Sequence, residues 1–316
     1  MIVTITPNPS IDRTISVKKL KRGAVHRAID SREDPGGKGL NVSRALAQNG
    51  TATIAVLPIG GASGQMMLDL LRHQELAVRA VPISGGVRIN IAVVEPDGTT
   101  TKLNEAGPRL SAGEVAALYD ATFAVVDAHT RWVVGCGSLP PGAPVAFFAD
   151  LVRRCRDAGV RVAVDSSGEP MSLALAASPD LVKPNRIELA EVVGRPLGTV
   201  GEVVAAARDL VAGGIRTVVV SLGRDGALLV DAGTAIHAQA SVSNPLSTVG
   251  AGDSLLAGYL HASAAECSGE EALRAAVAFG AAAVQLPGSQ MPMPADVSAV
   301  PVTFDTSPDF DRPLDD

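Results

Sequence analysis

Short apolar runs alternating with longer amphipathic ones dominate the chain from Ser111 onward. Compact runs at Trp132–Gly135, Arg161–Asp165, Leu181–Lys183 and Thr217–Ser221 predict strands. Between them, helical spacing is found around Gly113–Ala121, Ala143–Ala158, Asn185–Val193 and Gly201–Ala212. Such alternation predicts an α/β fold of βαβ units, with a mostly parallel sheet and helices on both faces. Ala227–Val230 returns by hairpin from Asp225-Gly226, and helices at Ser254–Ala264 and Gly269–Gln285 close the domain.

The first half is more mixed. Met1–Thr6 reads as a buried strand ended by Pro7-Asn8-Pro9. Leu40–Gln48 reads as a helix, Thr53–Leu57 as a strand and Gln65–Arg72 as a helix. Arg13–Val17 alternates as a half-exposed strand. Val87–Glu95 and Thr99–Asn104 flank the turn Pro96-Asp97-Gly98 as a hairpin. Together these form a small one-faced sheet outside the main core, while residues 18–34 read as a polar surface excursion. The expected organisation is one domain over residues 1–290, with lid strands from about 10–34 and 87–105. A Pro- and Asp-rich segment follows over 291–316, loose and acidic from Asp305 to Asp316.

Composition narrows the possibilities. Hydrophobic residues make up 47% against 19% charged, so a sizeable core can form, but aromatics at 3% leave it to Ala, Val and Leu. A net charge of −6 argues against nucleic acid as a partner, since that binding rests on clustered Lys and Arg. Three cysteines without CxxC spacing, and histidines without HExxH, suggest neither a disulfide framework nor a zinc site. No secretory signal opens the chain and no apolar run reaches the ~20 residues of a membrane span. The expectation is a cytoplasmic protein with no membrane partner. There is no GxxxxGK[ST], no GxGxxG after the first strand and no GxSxG.

The chemistry concentrates in Asn244–Tyr259, where Gly250-Ala251-Gly252 is nearly bare of side chains and Asp253 opens an apolar helical run. Glycines let a backbone turn tightly and bring its N–H groups close to a ligand. A helix starting there adds unpartnered amides and the positive end of its dipole, which together make an anion site. Asp253 sets a carboxylate beside that anion, an arrangement suited to phosphoryl transfer. A helix cap is the plainer role for Asp253. Four further blocks, Gly137-Ser138, Asp165-Ser166, Lys183-Pro-Asn185 and Ser221-Leu-Gly223, each stand where a predicted strand ends, the edge at which open α/β sheets collect ligands. Pro35–Gly39 offers three glycines around Lys38, with Asn41 just inside the next helix.

Val249-Gly-Ala-Gly-Asp253 and Pro35-Gly-Gly-Lys-Gly-Leu-Asn-Val-Ser-Arg44 resemble the two signatures of the ribokinase-like PfkB carbohydrate kinases. Gly137–Gly142, Asp165–Glu169, Lys183–Glu188 and Ser221–Gly226 resemble further blocks of that family, in family order, over about residues 1–290. The resemblance implies a ribokinase-like fold with a β-sheet lid, ATP and Mg2+ as cofactors, and a sugar phosphate as substrate. It implies Asp253 as base, with the amides of Gly250, Ala251 and Gly252 holding the transferring phosphoryl. Asp12, Gly36, Gly37, Lys38, Asn41, Arg88, Asn90, Lys102 and Ser138 are the implied sugar-phosphate ligands. Lys183, Asn185, Ser221, Gly223 and Gly226 are implied for ATP, and Glu188 with Asn185 for magnesium. Plainer roles stay open: an Asx turn for Asp12, solvated lid positions for Arg88 and Lys102, a helix N-terminal carboxylate for Glu188, and a hairpin turn for Ser221–Gly226. Gly-Gly-Lys-Gly, with Arg88-Ile-Asn90 and Thr101–Glu105, resembles the 1-phosphofructokinase and tagatose-6-phosphate kinase branch. That implies phosphorylation of fructose 1-phosphate at O6 to fructose 1,6-bisphosphate. Tagatose 6-phosphate and fructose 6-phosphate are the alternatives, and a non-catalytic sugar-phosphate sensor is the alternative of another class. Members of the family often dimerise through the lid, so a homodimer is a further expectation.

Overall fold

A computed structural model of the 316-residue chain describes residues 1–74 and 76–314. Strand β1 (Ile2–Ile5) leads into β2 (Ser10–Ser16) and β3 (Asp30–Gly36), and helix α1 (Lys38–Gln48) returns the chain to β4 (Thr53–Ile59). Then come α2 (Gly61–Arg72), β5 (Val78–Pro82), the hairpin β6 (Arg88–Val94) and β7 (Thr100–Leu103), and α3 (Ala112–Phe123). The alternating half contains β8 (Trp132–Cys136), α4 (Phe147–Asp157), β9 (Arg161–Asp165), α5 (Gly168–Ala176), β10 (Leu181–Val182), α6 (Arg186–Val193), α7 (Val200–Ala212) and β11 (Thr217–Ser221). The chain ends through β12 (Ala227–Val230), β13 (Ala235–Ala240), α8 (Ala251–Ala264), α9 (Gly269–Val284), α10 (Pro294–Ser298) and β14 (Val302–Asp305).

Among the described residues the main sheet runs β14-β13-β12-β11-β10-β9-β8-β1-β4-β5. It is parallel from β5 to β11 and antiparallel from β11 to β14. After β1 the chain moves outward through β4 and β5, then crosses back to β8 on the other side of β1. This reversal opens a crevice at the carboxyl ends of β1 and β8, where neighbouring connections leave in opposite directions. Strand residues alternate between two layers, as a period of two requires. Val3, Ile5, Val133, Val162 and Val164 pack with Phe147, Phe148, Leu151 and Val203 of α4 and α7. Ile2, Trp132, Val134 and Ala163 pack with Val42, Leu256, Leu260 and Phe279 of α1, α8 and α9. Ser111/Glu114, Thr199/Glu202 and Ser268/Glu271 form capping boxes that begin α3, α7 and α9, so their first amides are satisfied locally.

The small sheet, β3-β2-β6-β7, stands apart as the expected lid. Its β2–β6 pair is parallel and its other pairs antiparallel. Two expectations change. Residues 18–34 are not all excursion, because Asp30–Gly36 forms β3 against β2. That strand is mostly polar or half-exposed on both faces, so it shows no period-two hydrophobic signal.

The segment 291–314 is also not a loose tail. Val302–Asp305 pairs with β13, and the Arg274 guanidinium lies 4.0 Å over the Phe304 ring. Leu314 is 8% exposed and donates its N–H to Gly198 O at 2.9 Å. Acidic composition outweighed three apolar side chains that find a surface to cover. The last residues of the expected tail, Asp315 and Asp316, lie outside the described residues. Truncation after Val300 should therefore lower unfolding stability by about 2–4 kcal/mol, the scale of losing the buried Leu314 and the half-buried Val302 and Phe304 with their pairing. An unchanged denaturant midpoint would show the segment to be dispensable.

Candidate active site

The four strand-end blocks stand side by side in sheet order, following β8, β9, β10 and β11. Asn185 and Ser221 form a parallel bridge just beyond β10 and β11, and Ser221 N–H donates to Pro184 O at 3.1 Å. Helix α8 begins above this row. Its N-cap is Gly250, at φ 77° in the left-handed region that favours glycine. Asp253 is therefore the third helical residue and not the cap.

Among the described residues, the N–H groups of Gly250, Gly252 and Asp253 have no hydrogen-bond acceptor. The N–H of Ala251 leans on Thr248 O at 3.4 Å, so the open amides include that of Asp253 in place of the expected Ala251. Unpartnered amides at the positive end of a helix form an anion-receiving pocket.

Asp253 is 8% exposed, and its Oδ2 accepts from Asn41 Nδ2 at 2.9 Å. Asn41 is thus tied to Asp253. Its own Oδ1 accepts from Arg44 Nη1 at 3.1 Å, and the same nitrogen donates to Pro35 O and Ser289 O at 3.0 and 3.2 Å. Arg44 therefore holds the Asn41 amide with its NH2 toward Asp253. Burial, with the charge of Asp165, pushes the Asp253 carboxyl up to about 6, while the Asn41 hydrogen bond and the ammoniums of Lys38 and Lys183 restrain the rise. A carboxylate with that proton affinity suits general-base work near neutrality.

Beneath it lies an ion cluster that the motifs did not announce. Asp165 is 1% exposed, with Lys38 Nζ at 2.9 Å from Oδ1 and Lys183 Nζ at 3.3 Å from Oδ2. Burial alone would raise the Asp165 carboxyl, but Lys183 and Lys38 reverse that and hold it below its ordinary value. Burial likewise disfavours the Lys38 charge, and Asp165 and Glu188 outweigh it, leaving its pKa above the usual lysine value. Lys183 Nζ lies 3.5 Å from where a Cβ on Gly252 would sit, so it adjoins the amide pocket. Asp165 ends β9 inside a noticed segment and received no role. The signal was a lone acidic residue closing an apolar strand.

The lid brings other expected residues to the opening. Asp12 Oδ1 accepts from Ser10 Oγ at 2.7 Å and from Asn90 Nδ2 at 3.0 Å, so it is held by lid neighbours. Gly36 has to be glycine for this, since a Cβ there would fall 2.2 Å from Asp12 Oδ2. A cavity of about 220 Å³ is lined by Asp12, Asn90, Lys102, Val249 and Ser289, and Val249 directly precedes the amide pocket. Gly37 caps α1, which places Lys38 at its first position.

Arg88 reaches Glu105 O at 3.0 Å and Asn8 O at 3.1 Å, with its Nε buried and unpartnered. It lines a second cavity of about 540 Å³ with Ser84, Glu105, Gly107 and Arg109. Arg109 went unnoticed in the sequence. Ser138 is exposed, and its Oγ accepts from Asn8 Nδ2 at 3.3 Å.

Asn185 and Glu188 form the capping box of α6, with Asn185 N–H donating to Glu188 Oε2 at 2.9 Å and Glu188 N–H to Asn185 Oδ1 at 2.8 Å. The other carboxylate oxygen of Glu188 faces Lys38 Nζ at 3.8 Å. Gly223 opens a short turn, and Gly226 closes it at the start of β12, where β13 passes so near that a Cβ would fall 2.1 Å from Ala238 O. A plain hairpin reason for Gly226 therefore exists beside any ligand role. Among the described residues no three His, Cys, Asp or Glu side chains gather as a metal cluster, and no helix is long and apolar enough to cross a membrane.

An amide pocket, a buried carboxylate of raised pKa and paired lysines at the switch point of an α/β sheet suit phosphoryl transfer. The profile described as pfkB family carbohydrate kinase matches residues 6–296, and the chain belongs to that family. It is 36% identical over 310 residues to a 1-phosphofructokinase of Rhodobacter capsulatus, covering 97% of this chain and 98% of the relative. It is 38% identical over 283 residues to a 1-phosphofructokinase of Xanthomonas campestris pv. campestris, covering 88% and 89%. Phosphofructokinase-2 from Escherichia coli in complex with fructose-6-phosphate superimposes with a TM-score of 0.88 at 33% identity, covering 94% and 96%. The ribokinase-like α/β class expected from the motifs stands, and the chain is a carbohydrate kinase.

The raised Asp253 pKa has a consequence for stability. A carboxyl that binds its proton more tightly when folded favours the fold at low pH, and this contribution is lost as pH rises through about 6. Asp253→Asn should therefore be more stable than the parent at pH 8, by about 1–3 kcal/mol, with the gap closing near pH 4. Denaturant titrations at both pH values measure it, and equal gaps would contradict the buried, raised carboxyl.

Proposed function

We propose that this kinase moves the γ-phosphoryl of ATP to O6 of fructose 1-phosphate, giving fructose 1,6-bisphosphate and ADP. The observation that carries the phosphoryl-transfer reading is the unengaged amide pocket beside Asp253, a buried carboxylate with a pKa of about 6. Similarity over nearly the full length to 1-phosphofructokinases supports the choice of sugar.

In this reaction Asp253 accepts the proton of the sugar hydroxyl as its oxygen bonds to phosphorus. The bond from the γ-phosphorus to the bridging oxygen breaks, and the electron pair leaves with ADP. The amides of Gly250, Gly252 and Asp253 receive the charge of the migrating group, with Ala251 shaping the turn. Lys38 and Lys183 supply positive charge from below. Asp12 and Asn90 orient sugar hydroxyls, with Gly36 and Gly37 allowing close approach and Asn41 holding the base. Arg88, Lys102 and Ser138, with Arg109, face the phosphate the sugar already carries. Asn185, Ser221, Gly223 and Gly226 pass the nucleotide along the strand ends.

Magnesium fits the donor set sparingly. Glu188 Oε2 is committed to the helix cap, but its other oxygen faces only Lys38 at 3.8 Å. Magnesium keeps waters and shares phosphates, so one carboxylate with Asn185 nearby is enough. When bound it would neutralise charge on the ATP phosphates.

Both substrates belong to the cytoplasm, which supports that location. A homodimer through the lid is supported by Val25, Ile29 and Leu103, which are 92%, 61% and 60% exposed there. A second reading, O1 phosphorylation of fructose 6-phosphate, is kept open by the likeness to phosphofructokinase-2.

A coupled ADP-release assay over fructose 1-phosphate, fructose 6-phosphate, tagatose 6-phosphate and free fructose should give the highest kcat/KM with fructose 1-phosphate. A preference for either 6-phosphate would transfer the assignment to that sugar. Asp253→Asn should lower kcat by about 10²–10⁴ while nucleotide still binds. The parent's kcat/KM should climb as pH passes about 6, where Asp253 loses its proton. Near-normal turnover of the variant would remove Asp253 as base.

A further inference from the structure

The turn that follows β11 is held from behind by the end of the chain. The backbone carbonyl of Asp225 accepts from His237 Nε2 at 2.6 Å. Arg312 Nη2 stands 3.2 Å from that ring nitrogen and 3.9 Å from the Asp225 carboxylate. Gln239, two residues beyond His237 on β13, donates its side-chain amide to Arg224 O at 3.1 Å. Two successive carbonyls of the turn are thereby fixed by one strand, and Arg312 pairs with the carboxylate of Asp225 beside them.

Arg312 is itself anchored. Its carbonyl accepts from Val200 N–H at 3.0 Å, Leu314 N–H reaches Gly198 O at 2.9 Å, and Pro313 bridges Thr199. Gly201 N–H also donates to Phe310 O at 2.9 Å. The segment 310–314 thus runs from the start of α7 to the turn. His237 is buried, and burial followed by the nearby Arg312 lowers its pKa, which keeps the ring neutral and its single N–H on Asp225 O.

We propose that the C-terminal segment is a positioning element of the nucleotide site, with Arg312, paired to the Asp225 carboxylate, and His237, bonded to the Asp225 carbonyl, together setting the backbone of the turn Leu222–Gly226. This rests on the reading that Ser221, Gly223 and Gly226 pass the nucleotide. The turn closes on itself through Leu222 N–H to Gly226 O at 2.8 Å and Asp225 N–H to Leu222 O at 3.1 Å, and the external bonds at the Arg224 and Asp225 carbonyls fix how that closed turn sits against β13. No atom of Arg312 needs to touch ATP for its loss to be felt there.

The test is a split between the two substrates. Arg312→Ala should raise the ADP dissociation constant and the KM for ATP about fivefold, as expected for losing a half-buried ion pair. The KM for the sugar phosphate should stay within about twofold, and Arg312→Lys should recover most of the loss because an ammonium can still reach Asp225. A merely structural role would lower the melting temperature and weaken both substrates together, and that result overturns the proposal. So does unchanged ADP affinity in a folded Arg312→Ala protein. Should that variant fail to fold, Gln239→Ala removes the other brace, and ADP binding that stays at the parent's value in it also overturns the proposal. Gly223→Val separates this failure from failure of the underlying reading. It strains the turn itself at φ 62°, and intact ADP binding there would mean that the nucleotide does not use the turn at all.

Discussion

A carboxylate at 1% exposure can stay ionised only if cations are fixed beside it, and the site is built around that constraint at Asp165. Lys38 comes from the first turn of α1 and Lys183 from the loop after β10, and both close on the same two oxygens. Three segments distant in sequence are pinned together at the crevice between β1, β8 and β9. Removing Asp165 would leave two ammoniums facing one another with Glu188 as the remaining near carboxylate. Removing either lysine would leave a buried negative charge underpaired. The cluster therefore specifies where the strand ends must lie, whatever its net contribution to stability.

Asp253 inherits its properties from this neighbour. Its carboxyl is raised first by burial and next by the Asp165 charge, so the ion cluster also tunes the carboxyl above it. Orientation comes from a second chain of contacts, Arg44 to Asn41 to Asp253, whose arginine is buried and bonded to Pro35 and Ser289. Arg44 thus ties the glycine-rich turn before α1 to the loop after α9. The Asp253 carboxylate is held from one side by this hydrogen-bonded chain, which reaches β3 of the small sheet at Pro35, and from the other by electrostatics.

The alternation of apolar runs from Ser111 was enough to read the parallel half of the sheet, because each strand there is buried on both faces and each helix has one apolar side. Strand β3 stayed hidden because Asp30–Gly36 pairs through its backbone while its side chains are mostly polar. The C-terminal segment was misread for the opposite reason, since a few apolar residues among many aspartates decide its fate once β13 offers an open edge. At the site, Asp253, Lys38 and Lys183 were legible as types in motifs. Which carboxylate Lys38 would face was not, because side-chain pairing across 127 residues leaves no local pattern. Asn41 and Glu188 were read as ligands, yet both are bonded inside the protein, Asn41 to the base and Glu188 to its own helix end. Arg109 lies in a stretch without periodicity and is marked only by the cavity it lines.

The charge balance of the cluster bears on the order of events in the proposed transfer. Two ammoniums, Lys38 and Lys183, face three carboxylates, Asp165, Glu188 and Asp253, when all are ionised. The buried Arg44 guanidinium, which also feels the Asp253 charge, offsets the third carboxylate, so the site is close to balanced when all are ionised. Proton transfer to Asp253 removes one of those negative charges as the sugar oxygen attacks. The same proposed event that strengthens the nucleophile thus leaves the surroundings of the amide pocket more positive while the phosphoryl group is in transit. A water molecule in place of the sugar would have to surrender its proton along the same geometry, without the lid contacts of Asp12 and Asn90 to align it. In the proposed reaction, selectivity for transfer over hydrolysis would rest on that alignment by Asp12 and Asn90.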